Sequence, residues 1–279
     1  MALLSANTLF HFTKKEFLLN IIENGFFPRY SREFTPEVDP DYFTDIKDIY
    51  IPMVCFCDIP LSSVENHLDI YDHYGIGLSR KWGQNKGLNP VNYLQTKASV
   101  ISTYRKNVND LVLLSRSLFV EEFMLEHGHR PSVKSIIDSV KKSDNSYEKA
   151  KLTYAILSFL KPYMSKGAYR KKYPEYKYYN EKEWRYVPPL TNIILSEFLI
   201  LFENIANDIQ NFNERLVSKS LTFKAKDVKY IILDNSNEID WFIKGLQNIS
   251  SRFPKKFSTN DIQYLTTTIV TCKQIKEDF

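Results

Sequence analysis

The stretch Pro52–Ser79, PMVCFCDIPLSSVENHLDIYDHYGIGLS, constrains the fold more than any other part of the chain. Met53, Val54, Cys55, Phe56 and Cys57 form an apolar run too short for a helix core and apolar on both alternating sides, which predicts a strand buried on both faces. Asp58 ends the run and Pro60 breaks the strand pattern. Ser62 and Glu65 have the spacing of a capping box, predicting a short helix that stops before Gly75. Ile76, Gly77 and Leu78 then read as a second strand, thinned by glycine. A strand, a polar tip, a short helix and a strand commonly present side chains at the lip of a cleft. Asp58, Ser62, His67, Tyr71 and Tyr74 are the candidates for that lip. Spacing names the lip and not its ligand.

Composition limits the function classes. The 279 residues are 43% hydrophobic and 14% aromatic, ample material for a core. Only 8 glycines are present, and neither GxGxxG nor GxxxxGK[ST] occurs, which argues against a glycine-rich phosphate loop. The formal charge of +4 is too small to declare a nucleic-acid binder. MALLSANTLFHFT lacks a basic segment followed by a long apolar run, and no apolar run reaches the roughly 18 residues that span a bilayer. Three cysteines, two of them one residue apart, do not make a disulfide framework. A soluble cytoplasmic protein without a membrane partner is expected.

Along the chain, Thr8–Phe12 reads as a strand interrupted by His11. Thr13 and Glu16 have capping-box spacing, Phe17, Leu18, Ile21 and Ile22 give a helix its buried face, and Gly25 is the stop. His11 is either a core histidine bonded to backbone or a site residue at a strand end. Residues 26–48 read as a long loop that either covers the cleft or merely connects. From about residue 92 to 164 the pattern is mainly helical, an insertion between two sheet regions. Leu111, Leu114, Leu118 and Leu125 mark one helix face, and Leu152, Ala155, Ile156, Phe159, Leu160 and Tyr163 another.

Residues 163–186 hold seven tyrosines, and seven basic against three acidic residues. Arg170, Lys171, Lys172, Tyr173 and Lys177 are candidates for a nucleic-acid or partner face, since basic groups among aromatics track phosphates while stacking bases. A solvated edge whose tyrosines cover an apolar rim accounts for the same pattern. The stretch ends in EKEWRYV, which alternates like a strand with Glu181, Glu183 and Arg185 on one side and Trp184 and Tyr186 on the other. If that side lines the cleft, it offers a catalytic acid and its positioning partner.

Later come a helix through Phe198–Phe212, strands at Leu221–Lys224 and Val228–Leu233, a helix capped by Asn235 and Glu238 and running to Leu246, and a last strand at Ile262–Thr271. Without regular βαβ alternation, the fold class expected is α+β, one domain over residues 1–279. No metal is expected. Cys55, Cys57, Asp58, His67 and His73 match no standard ligand spacing, and cysteines in an apolar strand are usually inert.

LFHFT, ENGFFPRYSRE, the block from PMVCFCDIPLSS to GLNPV, and EKEWRYV together resemble the AbiGi family of bacterial abortive phage-infection proteins. The likeness covers residues 8 to about 100 well, and about 176 to 235 in outline. It implies antiviral defence, and the family is catalogued as the antitoxin of a two-gene phage-exclusion system. The order of motifs is more distantly similar to ADP-ribosyltransferase folds. That likeness implies a split mixed or antiparallel sheet core with a helical insertion, and NAD as substrate. It implies that His11 contacts ribose and that Ser62, Tyr71 or Tyr74 lies near nicotinamide. Thr13, Asp58, His67 and Arg185 complete the implied binding set. Glu183, with Glu181, would be catalytic, stabilising the ribosyl cation as nicotinamide leaves.

Three functions follow from these readings. The first is NAD-dependent ADP-ribosyl transfer to nucleic acid or protein. The second is a non-catalytic antitoxin or phage-sensing module that binds a cognate toxin, antitoxin or phage component. The third is RNA binding or cleavage. Under the first, Glu183→Gln is expected to abolish activity and leave the melting temperature nearly unchanged.

Overall fold

The computed structural model describes residues 7–34, 48–68, 71–95, 98–99, 134, 138, 141, 146–166, 175–201, 209–252 and 256–278. The strands are β1 (Thr8–Thr13), β2 (Arg29–Phe34), β3 (Asp48–Cys57), β4 (Tyr74–Ser79), β5 (Asn89–Pro90), β6 (Asn92–Leu94), β7 (Leu160–Pro162), β8 (Ser165–Lys166), β9 (Glu175–Tyr176), β10 (Glu183–Tyr186), β11 (Val228–Leu233) and β12 (Ile269–Thr271). The helices are α1 (Lys15–Asn24), α2 (Glu65–Leu68), α3 (Arg80–Asn85), α4 (Ser146–Ser158), α5 (Asn192–Leu201), α6 (Ile209–Arg215), α7 (Ile239–Ser251), α8 (Thr259–Thr266) and α9 (Cys272–Asp278). Eight strands form one mixed sheet in the order β12-β11-β4-β1-β3-β10-β5, with β2 added on β3. Its β11–β12 pair is parallel and its other pairs are antiparallel. β6 and β7 form a separate parallel pair, and β8 and β9 a short antiparallel one.

The apolar run at Met53–Cys57 is the C-terminal half of β3, and alternation divides its side chains between two layers. Val54 and Phe56 join the largest core with Leu9, Ile76, Leu78 and Trp82, under α1 and α7. Cys57 lies on the other side with Phe10, Ile59 and Leu68. Ile49, Ile51 and Met53 pack against Tyr154 of α4 and Phe198 of α5 in a third cluster.

The glycines of β4 have a packing reason. Gly77 pairs with Phe10, and a Cβ at Gly77 would lie 2.8 Å from both the Phe10 ring and the Thr8 methyl. Their bare backbone lets the Phe10 and Phe12 rings, stacked 6.1 Å apart, lie across the sheet. Gly77→Ala is expected to cost about 1–3 kcal/mol through overpacking. Urea denaturation checks this, and an unshifted midpoint would refute the packing account.

Several local expectations are corrected. The N-cap of α1 is Lys14, without a side-chain cap, because β1 runs on through Thr13 to pair with Tyr74. Ser62 lies inside a 3-10 turn, Leu61–Ser63, ahead of α2, so it caps nothing. Residues 29–34 of the supposed loop are strand β2, paired with β3 from Arg29↔Met53 to Phe34↔Asp48. The buried face of α4 is Ala150, Tyr154 and Leu157, while Leu152 is 60% exposed. Tyr154 decides this face because its ring packs edge-on against Phe198 at 5.1 Å.

Leu221–Lys224 contributes only a bridge, Phe26 with Leu221. Ile262–Thr266 is helical because Ser258 and Asp261 cap α8 reciprocally. The hydroxyls of Thr266, Thr267 and Thr268 donate to carbonyls three residues back, at the end of the helix and in the turn that follows it. Of the expected insertion, the described parts are β6, α4, β7 and short pieces. The helix expected around Leu111–Leu125 lies outside the described residues.

Lys256 closes the C-terminal end of α1, its ammonium donating to the Ile22 and Glu23 carbonyls at 2.8 and 2.7 Å. Burial lowers its pKa to about 8 from 10.5. Between these values the unfolded chain binds more protons than the fold, so Lys256 contributes stability that rises with pH from about 8 to about 10.5. Melting curves of wild type and Lys256→Met across that window check the sign. A wild-type melting temperature that fell relative to the variant would reverse it.

Candidate active site

The site is built where β10 crosses β3. Glu183 pairs with Cys57 and Arg185 with Cys55, so both charged side chains rise on the Cys57 side of the sheet. Arg185 is 0% exposed. Its Nε donates to Glu183 Oε1 at 2.6 Å, its Nη1 to the Ser158 carbonyl at 3.0 Å, and its Nη2 to Glu33 Oε2 at 2.9 Å. Glu183 also accepts from the Lys161 ammonium. Lys161 donates to Glu181 Oε2 at 2.7 Å, and the Tyr71 hydroxyl donates to Glu181 Oε1 at 2.7 Å. Tyr93 accepts from the backbone N–H of Glu183 at 2.8 Å.

Glu181 reaches this cluster by a different route from the one its alternation implies. It ends a 3-10 turn, Tyr178–Glu181, and Lys182 follows in the left-handed region at φ 45°. That conformation costs roughly 1–2 kcal/mol for a residue with a Cβ. Two contacts hold it: the Lys182 carbonyl accepts from the Asp58 N–H at 3.0 Å, and its ammonium sits 3.2 Å from the Tyr179 ring centre.

The cluster opens on a cavity of about 420 Å³ whose lining includes Phe10, Phe12, Tyr71, Glu33, Lys161, Glu181 and Glu183. Its charges are strongly coupled. Burial works to raise the Glu183 pKa, but Lys161 and then Arg185 outweigh it and hold the carboxyl below its usual range. Burial likewise works against charge on Lys161 and Arg185, yet the facing carboxylates, Glu183 first, raise both. Burial, and then the Glu181 charge, push the Tyr71 hydroxyl up, so it stays a donor. Glu33, Glu181 and Glu183 share hydrogen bonds with Lys161 and Arg185, and Arg32 also lines the cavity. Such a network is costly to bury and is often no more stabilising than apolar packing of the same volume.

Three of the expected site residues meet at this one cavity, Tyr71, Glu181 and Glu183, and His11 lies in its wall with its ring turned to the other side. Arg185 lies directly behind, and His67 stacks behind Tyr71 and Phe12, each 6.1 Å away. His11 itself faces the core. Alternation puts its ring on the side of β1 opposite Phe10, 4.9 Å from Phe26 and 5.6 Å from Phe56, where Nδ1–H donates to the Cys55 carbonyl at 2.8 Å. Burial lowers its pKa. The ring fills the place where β1 and β3, registered only at Phe10↔Cys57, draw apart.

Asp58, Ser62, Thr13 and Tyr74 are not part of the lining. Asp58 pairs with Arg80 at 2.5 Å, Ser62 is exposed, and Tyr74 donates to Glu238 at 2.8 Å. Lys177 is exposed, and Arg170, Lys171, Lys172 and Tyr173 lie outside the described residues. Lys161, Glu33 and Tyr93 were not expected at the site. Lys161 looks like the tail of a helix in sequence, and Glu33 like part of a loop. Among the described residues no group of three or more His, Cys, Asp or Glu side chains is placed to hold a metal ion, and no helix is long and apolar enough to cross a membrane.

The family model described as abortive phage resistance protein AbiGi, antitoxin, matches residues 24–234. The chain belongs to the AbiGi family. An abortive phage resistance protein AbiGi of Lactococcus lactis subsp. cremoris is 27% identical over 251 residues, covering 85% of this chain and 92% of that protein. The span matched by the AbiGi model carries Glu33, Lys161, Glu181, Glu183 and Arg185. No solved structure matches the chain.

Proposed function

We propose that this AbiGi protein acts in phage defence by ADP-ribosyl transfer from NAD, with Glu183 and Glu181 as the acids of its cavity. The observation that carries the reading is the meeting of these two carboxylates on the wall of one cavity with the Phe10, Phe12 and Tyr71 rings. In the reaction, the bond between ribose C1′ and the nicotinamide nitrogen breaks and its electron pair leaves with nicotinamide. The ribosyl carbon turns cationic until a nucleophile of a nucleic acid, a protein or water bonds to it. Carboxylates fixed beforehand beside that carbon stabilise it without reorganising. A cavity of about 420 Å³ is in the range that takes part of a dinucleotide. The distant resemblance of the motif order to ADP-ribosyltransferase folds supports the same chemistry.

The test is nicotinamide release from NAD by the purified protein, with and without phage lysate, beside Glu183→Gln. Release by wild type and its loss in the variant is the expected outcome. Absence of release under both conditions, with no thermal shift on adding NAD, sinks the reading.

The family description favours a second reading, in which the chain is the antitoxin half of a pair and binds a toxin. Co-expression with a candidate toxin, followed by co-purification, tests it. Independent elution of the two proteins would count against it.

A further inference from the structure

We propose that Lys161 is the positioning residue of this site: by bridging Glu181 and Glu183 it holds both carboxylates together on the cavity wall, an inference that rests on reading the cavity as the reaction site. Lys161 comes from β7, outside the eight-stranded sheet, and pairs in register with Tyr93 of β6. That two-stranded unit holds Glu183 twice, through the Tyr93 oxygen at its backbone and the Lys161 ammonium at its carboxylate. The Arg185 contact to the Ser158 carbonyl fixes the chain just before β7, so the lysine is delivered by a braced segment. Its side chain is 12% exposed, which strands the ammonium away from water unless both acids answer it.

Arg185 cannot take its place. Its guanidinium is shared among Glu183, Glu33 and Ser158, and makes none of these bonds to Glu181. Without Lys161, the pair would lose the ammonium that both carboxylates share. Glu181 and Glu183 would then behave as like charges in one site, where one carboxyl takes up a proton. The other charged or titratable groups that line the cavity or reach the pair are Arg32 and Glu33 of β2, Cys55 and Cys57 of β3, Tyr71, Tyr93 of β6, Tyr178 and Arg185. Arg185 is the second cation hydrogen-bonded to Glu183.

Two readouts test this. Carbon-13 NMR of the glutamate carboxyls follows protonation directly in wild type, Lys161→Met and Lys161→Arg. In Lys161→Met one carboxyl of the pair is expected to titrate about one to three pH units higher than in wild type, and Lys161→Arg to stay near wild type. The acid limb of nicotinamide release is expected to move up by the same amount, a change that a merely structural role would not produce. Identical carboxyl titration in wild type and Lys161→Met overturns the proposal. If wild type releases no nicotinamide, the reaction reading fails while the carboxyl titration still decides the role of Lys161. Should Lys161→Met not fold, Lys161→Met/Glu181→Gln removes one acid together with the ammonium and leaves Glu183 without Lys161. Glu183 is expected to titrate above its wild-type position there too, and an unchanged titration overturns the proposal.

Discussion

Arg185→Met is expected to lose about 3–5 kcal/mol of stability, the largest effect of any single substitution at the site. The guanidinium is fully enclosed and bonds Glu183, Glu33 and the Ser158 carbonyl. Methionine fills much of the volume but leaves two buried carboxylates without that cation and a carbonyl without its donor. The penalty is therefore mostly the cost of stranded partners. A companion variant, Arg185→Met/Glu183→Leu, removes one stranded acid and is expected to recover part of the loss, because apolar replacements of buried ion pairs are often tolerated. Guanidinium unfolding of both proteins decides the matter. A single variant within about 1 kcal/mol of wild type would mean the network contributes little.

Glu183→Gln is expected to lower nicotinamide release by on the order of 10²–10³-fold, the usual effect of removing one preorganised charge-stabilising group. The sequence alone suggests an unchanged melting temperature, and the geometry revises that expectation. Glu183 accepts from both Arg185 and Lys161. A glutamine oxygen can still accept from Arg185, but its amide presents a donor where Lys161 needs an acceptor. The substitution also removes one buried negative charge, which offsets part of the lost pairing. The variant should melt lower than wild type and well above Arg185→Met. Release at the wild-type rate would remove Glu183 from the chemistry, whatever its melting point.

Much of this arrangement can be read from residues, though not always for the right reason. Alternation in EKEWRYV correctly puts Glu183 and Arg185 on one side of a strand, since a period of two survives wherever the ladder is regular. Glu181 also joins them, but the strand stops at Glu183 and the left-handed Lys182 folds Glu181 back. A single non-glycine residue in that region leaves no trace in a hydrophobic pattern. Lys161 was hidden because Leu160 and Tyr163 extend the helical period of α4 past its true end at Ser158. Glu33 was hidden because β2 is polar along one edge and carries no apolar run. Gly77 was legible as thinning of a strand and Gly75 only as the residue before which a helix ends, while the rings packed against both lie on β1, more than 60 positions earlier by pairing. Long-range pairing is what single-sequence patterns lack.

The contacts of Arg185 also bear on how the chain is assembled. Its partners sit 152 and 27 positions earlier, at Glu33 and Ser158. During synthesis from the N-terminus, β2 and β3 are complete long before residue 185 emerges, so Glu33 waits without its guanidinium while half the chain is made. Contacts this distant in sequence close slowly. Docking of β10 therefore closes the seam between β2, β3 and the end of α4 only after all three have been made. A nascent chain halted before Arg185 would leave Glu33 and the Ser158 carbonyl without the guanidinium that joins them.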